Sequence, residues 1–268
     1  MNFLNKISLS EAQETLLIPL YAKAQKNPVM EDEWARQILK RISYDFSRLK
    51  IPQKTEVTLR LRAKQFDRYT SAFLQKHPTA LILHLGCGLD SRCMRVKHSQ
   101  AVWIDLDMPD VIALRRKFFE EDEVNRMIAS SVTDLQWLEQ VQNQGRPVLL
   151  LAEGLLMYLY EEDVRELFLA IRQKFPGADI IFDVFSLYTV SQINKHPSLQ
   201  KTGAEIRWGI DDPHIIESWA EGIHLKEDWY FSQSPDIQFL NWFYRLMFKL
   251  TASIKIVRLS QRLLYYRL

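Results

Sequence analysis

Apolar residues return along this chain with two different periods. Over residues 55–76, Leu59, Phe66, Tyr69, Phe73 and Leu74 recur at helical spacing, and His77-Pro78 closes the run. Residues 80–85 then form a short apolar block, followed by similar blocks at 101–104, 126–129, 148–152 and 180–185. Blocks of that length predict strands. Residues 109–121 and 161–175 predict helices, each with an apolar face and with proline or acidic residues in its first turn. Pro176-Gly177 stops the second helix. Strands alternating with helices predict an α/β chain with a doubly wound, mostly parallel sheet.

The two ends break this rhythm. Residues 1–54 read as helical and polar-faced, an N-terminal lid. Residues 208–248 are dense in aromatics, among them Trp208, Trp219, Trp229, Phe231, Trp242, Phe243 and Phe248. They predict a helical cap in which most rings serve packing. Residues 263–267 read as an edge strand. Only eight glycines and no Ser/Gly-rich tract argue against a flexible linker. The expectation is one domain over 1–268: a lid (1–54), a ligand-binding core (55–190), and a cap with C-terminal strands (191–268).

Composition narrows the classes. A 47% hydrophobic, 25% charged chain of 268 residues is long enough for a single large core. A formal net charge of +2 implies neither nucleic acid nor an anionic membrane as partner. The most apolar stretch, 148–159, is too short to span a bilayer and contains Glu153. Residues 1–10 lack the basic start and apolar core of a signal peptide. Two cysteines, Cys87 and Cys93, make no disulfide framework and fit a reducing cytoplasm. The six histidines show no metal spacing, and no metal is expected.

The sharpest local signal follows the first strand: Leu85-Gly86-Cys87-Gly88-Leu89-Asp90-Ser91-Arg92. A Gly-x-Gly turn between a strand and a helix brings backbone against a nucleotide without a Cβ in the way. Ser91 replaces the third glycine of the dinucleotide fingerprint, and Asp90 stands at the helix entry, where a pyrophosphate would meet a like charge. A nucleoside ligand without phosphate meets no such penalty, and a sulfonium or ammonium favours acidic walls. The turn therefore favours S-adenosylmethionine over NAD.

Several ordered blocks resemble one family. Glu14-Thr15-Leu16-Leu17-Ile18-Pro19-Leu20-Tyr21-Ala22-Lys23-Ala24, Arg62-Ala63-Lys64-Gln65-Phe66-Asp67, the glycine turn, Asp105-Leu106-Asp107-Met108-Pro109, Ala152-Glu153-Gly154-Leu155-Leu156-Met157-Tyr158-Leu159, His196-Pro197 and Trp208-Gly209 are similar to motifs of the S-adenosylmethionine-dependent family. That family includes leucine carboxyl methyltransferases and tetracenomycin-type polyketide O-methyltransferases. The resemblance covers the chain to about Trp219. It implies a Rossmann-like class I methyltransferase with a seven-stranded sheet, an antiparallel seventh strand and an added helical cap.

The resemblance also assigns roles. Arg62 is implied on the donor's carboxylate, which its planar fork suits; a solvated basic face beside Arg60 and Lys64 is the alternative. Lys23 is implied near the same carboxylate. Asp107, with Asp105 the weaker candidate, is implied on the ribose, against capping of the next helix. Gly86 and Gly88 form the turn. Ser131 and Val132 stand where the family carries an Asp-Leu pair beside adenine. Glu153 closes an apolar strand, so its carboxylate needs a partner, which the donor's ammonium or sulfonium region offers. Tyr158 either borders the transfer site or packs under the following helix.

The reaction expected is methyl transfer to a carboxyl or hydroxyl oxygen of a small, polyketide-like molecule. No outstanding base stands near the site, which favours a carboxylate acceptor. Two rival readings are a methyltransferase-like binding or regulatory protein without turnover, and an NAD-dependent oxidoreductase, which Asp90 and Ser91 disfavour.

Overall fold

The computed structural model describes residues 16–98, 100–194 and 205–268. Seven strands form one sheet in the order β3-β2-β1-β4-β5-β7-β6. They are β1 (Leu81–Leu85), β2 (Val102–Asp107), β3 (Asn125–Ala129), β4 (Val148–Ala152), β5 (Asp179–Phe185), β6 (His224–Tyr230) and β7 (Gln261–Arg267). The first five run parallel, and β7 is antiparallel to both its neighbours. Between β1 and β4 the winding reverses direction, and the crevice beyond the carboxyl ends of such strands is where open α/β sheets bind ligands.

Burial on both faces explains the apolar runs. β1 and β4 are buried at every position, and alternate residues feed opposite layers. Leu81, Leu83, Leu85 and Leu150 face a layer built on Val164, Leu167, Phe168 and Ile171 of the helix Glu161–Lys174. Ile82, Leu149 and Leu151 face the other layer. That layer is made by α1 (Leu17–Ala24), α2 (Glu33–Arg41) and α3 (Gln53–Lys76). The helices that follow are α4 (Arg92–Arg95), α5 (Pro109–Arg115), α6 (Glu161–Lys174), α7 (Leu187–Ile193), α8 (Trp242–Thr251) and α9 (Lys255–Arg258).

Four expectations need correction. Helix α1 is not polar-faced: Leu17, Leu20, Ala22 and Ala24 are buried, and so is Lys23. β7 is not an edge strand, because β6 pairs along its other side. The region 208–248 is not wholly helical, since it contributes β6 as the true edge. The expected helix 109–121 stops early, at Arg115. Trp208 and Trp219 do pack, lying with Phe182 and Phe168 in one aromatic cluster. Trp242 and Phe243 stay exposed. His196-Pro197, Glu14 and Thr15 lie outside the described residues.

Candidate active site

The glycine turn leaves β1 at the switch point. Gly86 and Gly88 both take positive φ, at 61° and 49°, a region costly for any residue with a Cβ. A Cβ on Gly86 would stand 2.9 Å from Leu155 Cδ1. Beneath the turn, buried Arg115 donates to the Gly88 carbonyl at 2.9 Å and the Asp90 carbonyl at 2.8 Å. It also forms a fork on Asp105 Oδ2 at 2.6 and 2.9 Å. Asp105 takes a further hydrogen bond from Trp103 Nε1. It is thus engaged in anchoring the turn.

Asp107 ends the same strand and meets the turn from above. Its Oδ2 accepts from the Gly88 N–H at 2.7 Å and its Oδ1 from the Met108 N–H at 2.8 Å. Burial raises its pKa, and those two N–H groups pull the other way. The next strand along, β3, runs into Ser130 and Ser131. Ser131 Oγ lies 2.8 Å from Thr133 Oγ1, and the Val132 carbonyl accepts from Trp137 Nε1.

Charge converges at the ends of β1, β4 and β5. Glu153, just past β4, accepts from Arg62 Nε at 3.0 Å and from Arg92 Nη2 at 2.5 Å. Burial opposes its charge, but Arg92 and Arg62 hold the carboxyl down at about 2. Arg62 also donates to Asp183 Oδ2 at 2.8 Å. Asp183, in β5, receives the Gly154 N–H at 2.6 Å and Gln261 Nε2 at 2.9 Å. Lys23 reaches from α1 to Asp90 at 2.6 Å. Burial works against the Asp90 charge too, yet Arg92, Lys23 and Arg95 keep its carboxyl well below the usual range. Asp67 accepts from Arg92 and Arg95, both at 2.7 Å. Asp32 closes the group, facing Arg95 at 2.7 Å and Ser91 Oγ at 2.6 Å.

Arg62 is therefore no solvated face residue, and neither is Arg60, whose Nε donates to the Ala22 carbonyl. Asp90 carries less repulsion toward an anion than its isolated charge suggests, because three cations answer it. Four participants, Asp32, Arg95, Arg115 and Asp183, carry no role in the sequence analysis. The signal for Asp183 was a lone carboxylate inside the apolar run Ile180-Ile181-Phe182-Asp183-Val184, which burial obliges to find a partner. Tyr158 lies one turn past Glu153, partly exposed, and burial raises its phenol while Arg62 draws it back.

In the network as a whole, five carboxylates (Asp32, Asp67, Asp90, Glu153 and Asp183) face four cations (Lys23, Arg62, Arg92 and Arg95). One negative charge is left without a match. Arg92 Nη1, fully buried, also has no hydrogen-bond partner. The unmatched charge suits a ligand that brings a cation. Among the described residues, no group of three or more His, Cys, Asp or Glu is placed to hold a metal ion.

Residues 15–172 match the leucine carboxyl methyltransferase family. The chain belongs to that family. It is 40% identical over 234 residues to the tetracenomycin polyketide synthesis O-methyltransferase TcmP of Streptomyces glaucescens, covering 85% of this chain and 86% of that protein. It is 33% identical to the S-adenosyl-L-methionine-dependent methyltransferase dpfgK of Gibberella zeae, covering 83% of each. The fold is shared with a DUF574 family protein from Streptomyces avermitilis (TM-score 0.61, 11% identity, 96% of this chain and 99% of that one). It is also shared with an S-adenosylmethionine-dependent methyltransferase from Mesorhizobium loti (TM-score 0.53, 15% identity, 77% of this chain and 98% of that one). The protein is an S-adenosylmethionine-dependent methyltransferase of class I fold. Among its described residues no helix is long and apolar enough to cross a membrane.

Proposed function

We propose that this methyltransferase transfers a methyl group to a carboxyl or hydroxyl oxygen of a small, planar, polyketide-like molecule, with a carboxylate as the preferred acceptor. The observation that carries the donor site is the unmatched negative charge of the buried network at the switch point. S-adenosylmethionine, with a sulfonium, an ammonium and a carboxylate, has one net positive charge and so complements it. Its demethylated product has none, which favours release after transfer.

The chain's own residues divide the work. Arg62 and Lys23 provide donors for the ligand's carboxylate, with Arg92 Nη1, which pairs with Asp90 Oδ2 at 3.6 Å without a hydrogen bond, behind them. Glu153 faces the ammonium and sulfonium side. Asp107 retains lone pairs for ribose hydroxyls, while Asp105 is committed to Arg115. Gly86 and Gly88 allow close backbone approach, and Ser131 and Val132 border the adenine end. Tyr158 edges the acceptor side. Residues before 55 act as a lid, since α1 delivers Lys23 over the turn. When bound, the donor supplies an electrophilic methyl carbon. The protein's task is then to hold an oxygen in line with it and to exclude water.

The acceptor site on this reading is a cavity of about 190 Å³ joined to the network through Gln261, lined mainly by apolar groups including Phe185, Phe231, Met247 and Phe248. Gln261 belongs to the cavity wall and hydrogen-bonds Asp183, which in turn holds Arg62. TcmP is, by its name, an O-methyltransferase of tetracenomycin polyketide synthesis, which supports a polyketide-like acceptor.

Thermal melting tests the donor assignment. S-adenosylhomocysteine is expected to raise the melting temperature while NAD and NADP do not, because a ligand that binds only the folded state stabilises it. A shift with NAD and none with the adenosyl ligand would refute it.

A further inference from the structure

The helix α8 (Trp242–Thr251) has two apolar faces. Its inner face, with Tyr244, Met247 and Phe248, packs into the core. On the other side Trp242, Phe243, Leu246 and Leu250 are exposed, Trp242 at 74%. At 100° per residue these four fall within an arc of about 100°. The short α9 (Lys255–Arg258) and the residue before it continue the exposed apolar surface with Ile254 and Ile256. A surface helix normally leaves its second face polar, so a patch of this extent marks a place where something docks.

Charge says what docks there. Arg245, Lys249 and Lys255 are exposed beside the apolar residues, and none of the three forms an ion pair among the described residues; Arg258 lies over the Tyr230 ring and turns toward the cavity. From Ile237 to Leu268 the chain has six Lys and Arg and no Asp or Glu. The whole chain has a net charge of only +2, so the rest of it is net acidic and the average conceals a local basic surface. A second copy seated through this same face would set these cations against their own equivalents, as a two-fold interface requires. An anionic lipid surface answers both features at once. Trp, Phe and Leu enter the headgroup boundary while Lys and Arg meet the lipid phosphates.

We infer that the outer face of α8 and α9 is a seat for an anionic membrane surface. Residues of the same two helices, including Met247, Phe248, Thr251 and Val257, line the cavity next to the donor site. The seat thus sets that cavity beside the lipid, where apolar molecules concentrate. Only this last consequence rests on the methyltransferase reading of the acceptor; the seat itself does not.

Flotation of the full-length protein with phosphatidylcholine vesicles, with and without phosphatidylglycerol, tests the inference. Partition is expected onto the phosphatidylglycerol vesicles, with a blue shift in tryptophan emission and weakening at high salt. Arg245→Gln and Lys249→Gln should each weaken partition about fivefold, the equivalent of about 1 kcal/mol. The double variant Trp242→Gln, Leu250→Gln should abolish it, with melting temperature and S-adenosylhomocysteine binding unchanged, since both residues are exposed and neither lines the cavity nor joins the charge network of the donor site. Equal partition with and without phosphatidylglycerol, or none, overturns the inference. So does a dimer in sedimentation velocity that the double variant dissociates, which gives the face to a second copy. Partition that appears only after deletion of residues 2–15 gives it to that segment.

Discussion

Arg92 Nη2 and Glu153 Oε2 lie 2.5 Å apart, both buried, and this pair ties the helix after β1 to the end of β4. It spans the point where the sheet reverses its winding. Two sequence motifs whose paired residues stand 61 positions apart are thus one structural unit, and Arg62 completes it from α3. Removing one partner of such a buried pair leaves the other without compensation, which costs about 3–5 kcal/mol. Glu153→Ala is therefore expected to lower unfolding free energy in urea by about that amount. A loss below about 1 kcal/mol would show that the cluster relaxes without it.

The same carboxylate sets a pH dependence. Its folded pKa is held at about 2, against an ordinary value of 4.5. The unfolded chain binds the proton more readily, so stability from this group is fully present above about pH 5 and is lost as pH falls toward 2. The contribution is of the order of 3 kcal/mol. In denaturation curves taken between pH 5 and 2, Glu153→Gln should show a flatter decline than the unmodified protein. Parallel slopes would remove Glu153 as a source of the acid sensitivity.

Arg62 needs a gentler substitution than its position in the sequence suggests. Because it pairs with both Glu153 and Asp183, replacement by an apolar side chain would unpair two buried carboxylates and unsettle the fold. Arg62→Lys keeps the charge but loses the planar fork. It is expected to weaken S-adenosylhomocysteine binding by about 1.5–3 kcal/mol, the worth of a charge-assisted hydrogen bond. Calorimetry that finds unchanged affinity in a folded Arg62→Lys protein would take Arg62 out of the donor site.

Asp105 and Asp107 share one face of β2, yet their substitutions should separate cleanly. Asp105 serves Arg115 and Trp103, and Asp107 serves the Gly88 N–H. Asp105→Asn should cost stability, about 3 kcal/mol or more, by leaving Arg115 buried without its partner. Asp107→Asn should leave the melting temperature near its starting point and reduce ligand affinity at least about tenfold, equivalent to about 1.4 kcal/mol. The reverse pattern would exchange their roles.

What the sequence made legible follows from burial. β1 and β4 are apolar at nearly every position because both faces are covered, and such runs are read without help. β6, His224-Leu225-Lys226-Glu227-Asp228-Trp229-Tyr230, is charged because it is the sheet's edge, where charge discourages unwanted pairing. Its composition hid it, and with it the inner place of β7. In the site, Gly86, Gly88, Asp107 and Glu153 stood out through motif and position. Lys23 lay on a helix misread as polar-faced, because a buried lysine counts as polar until its partner, Asp90, is known. Asp183, a lone carboxylate in an apolar run, signals that it needs a partner but not which, since Arg62 lies 121 residues away; Arg115 belongs to no local pattern.

The chemistry of the acceptor can be read from the pH dependence of the transfer rate. A carboxylate acceptor with an ordinary pKa near 4 is already ionised at neutral pH, so no protein group need remove a proton. Of the residues near the site, Tyr158 has its phenol pushed upward by burial and stays protonated around neutrality, unsuited to act as a base there. The rate at saturating acceptor should then stay nearly flat between about pH 6 and 8. A hydroxyl acceptor served by a base would instead show a rising limb in that window. A tenfold rise in rate across that window, in a protein whose affinity for S-adenosylhomocysteine stays constant over the same range, would replace the carboxyl assignment with a hydroxyl one. Tyr158→Phe sharpens the outcome. It should leave the flat profile in place if the acceptor is a carboxylate, and should flatten the limb if the tyrosine takes the proton.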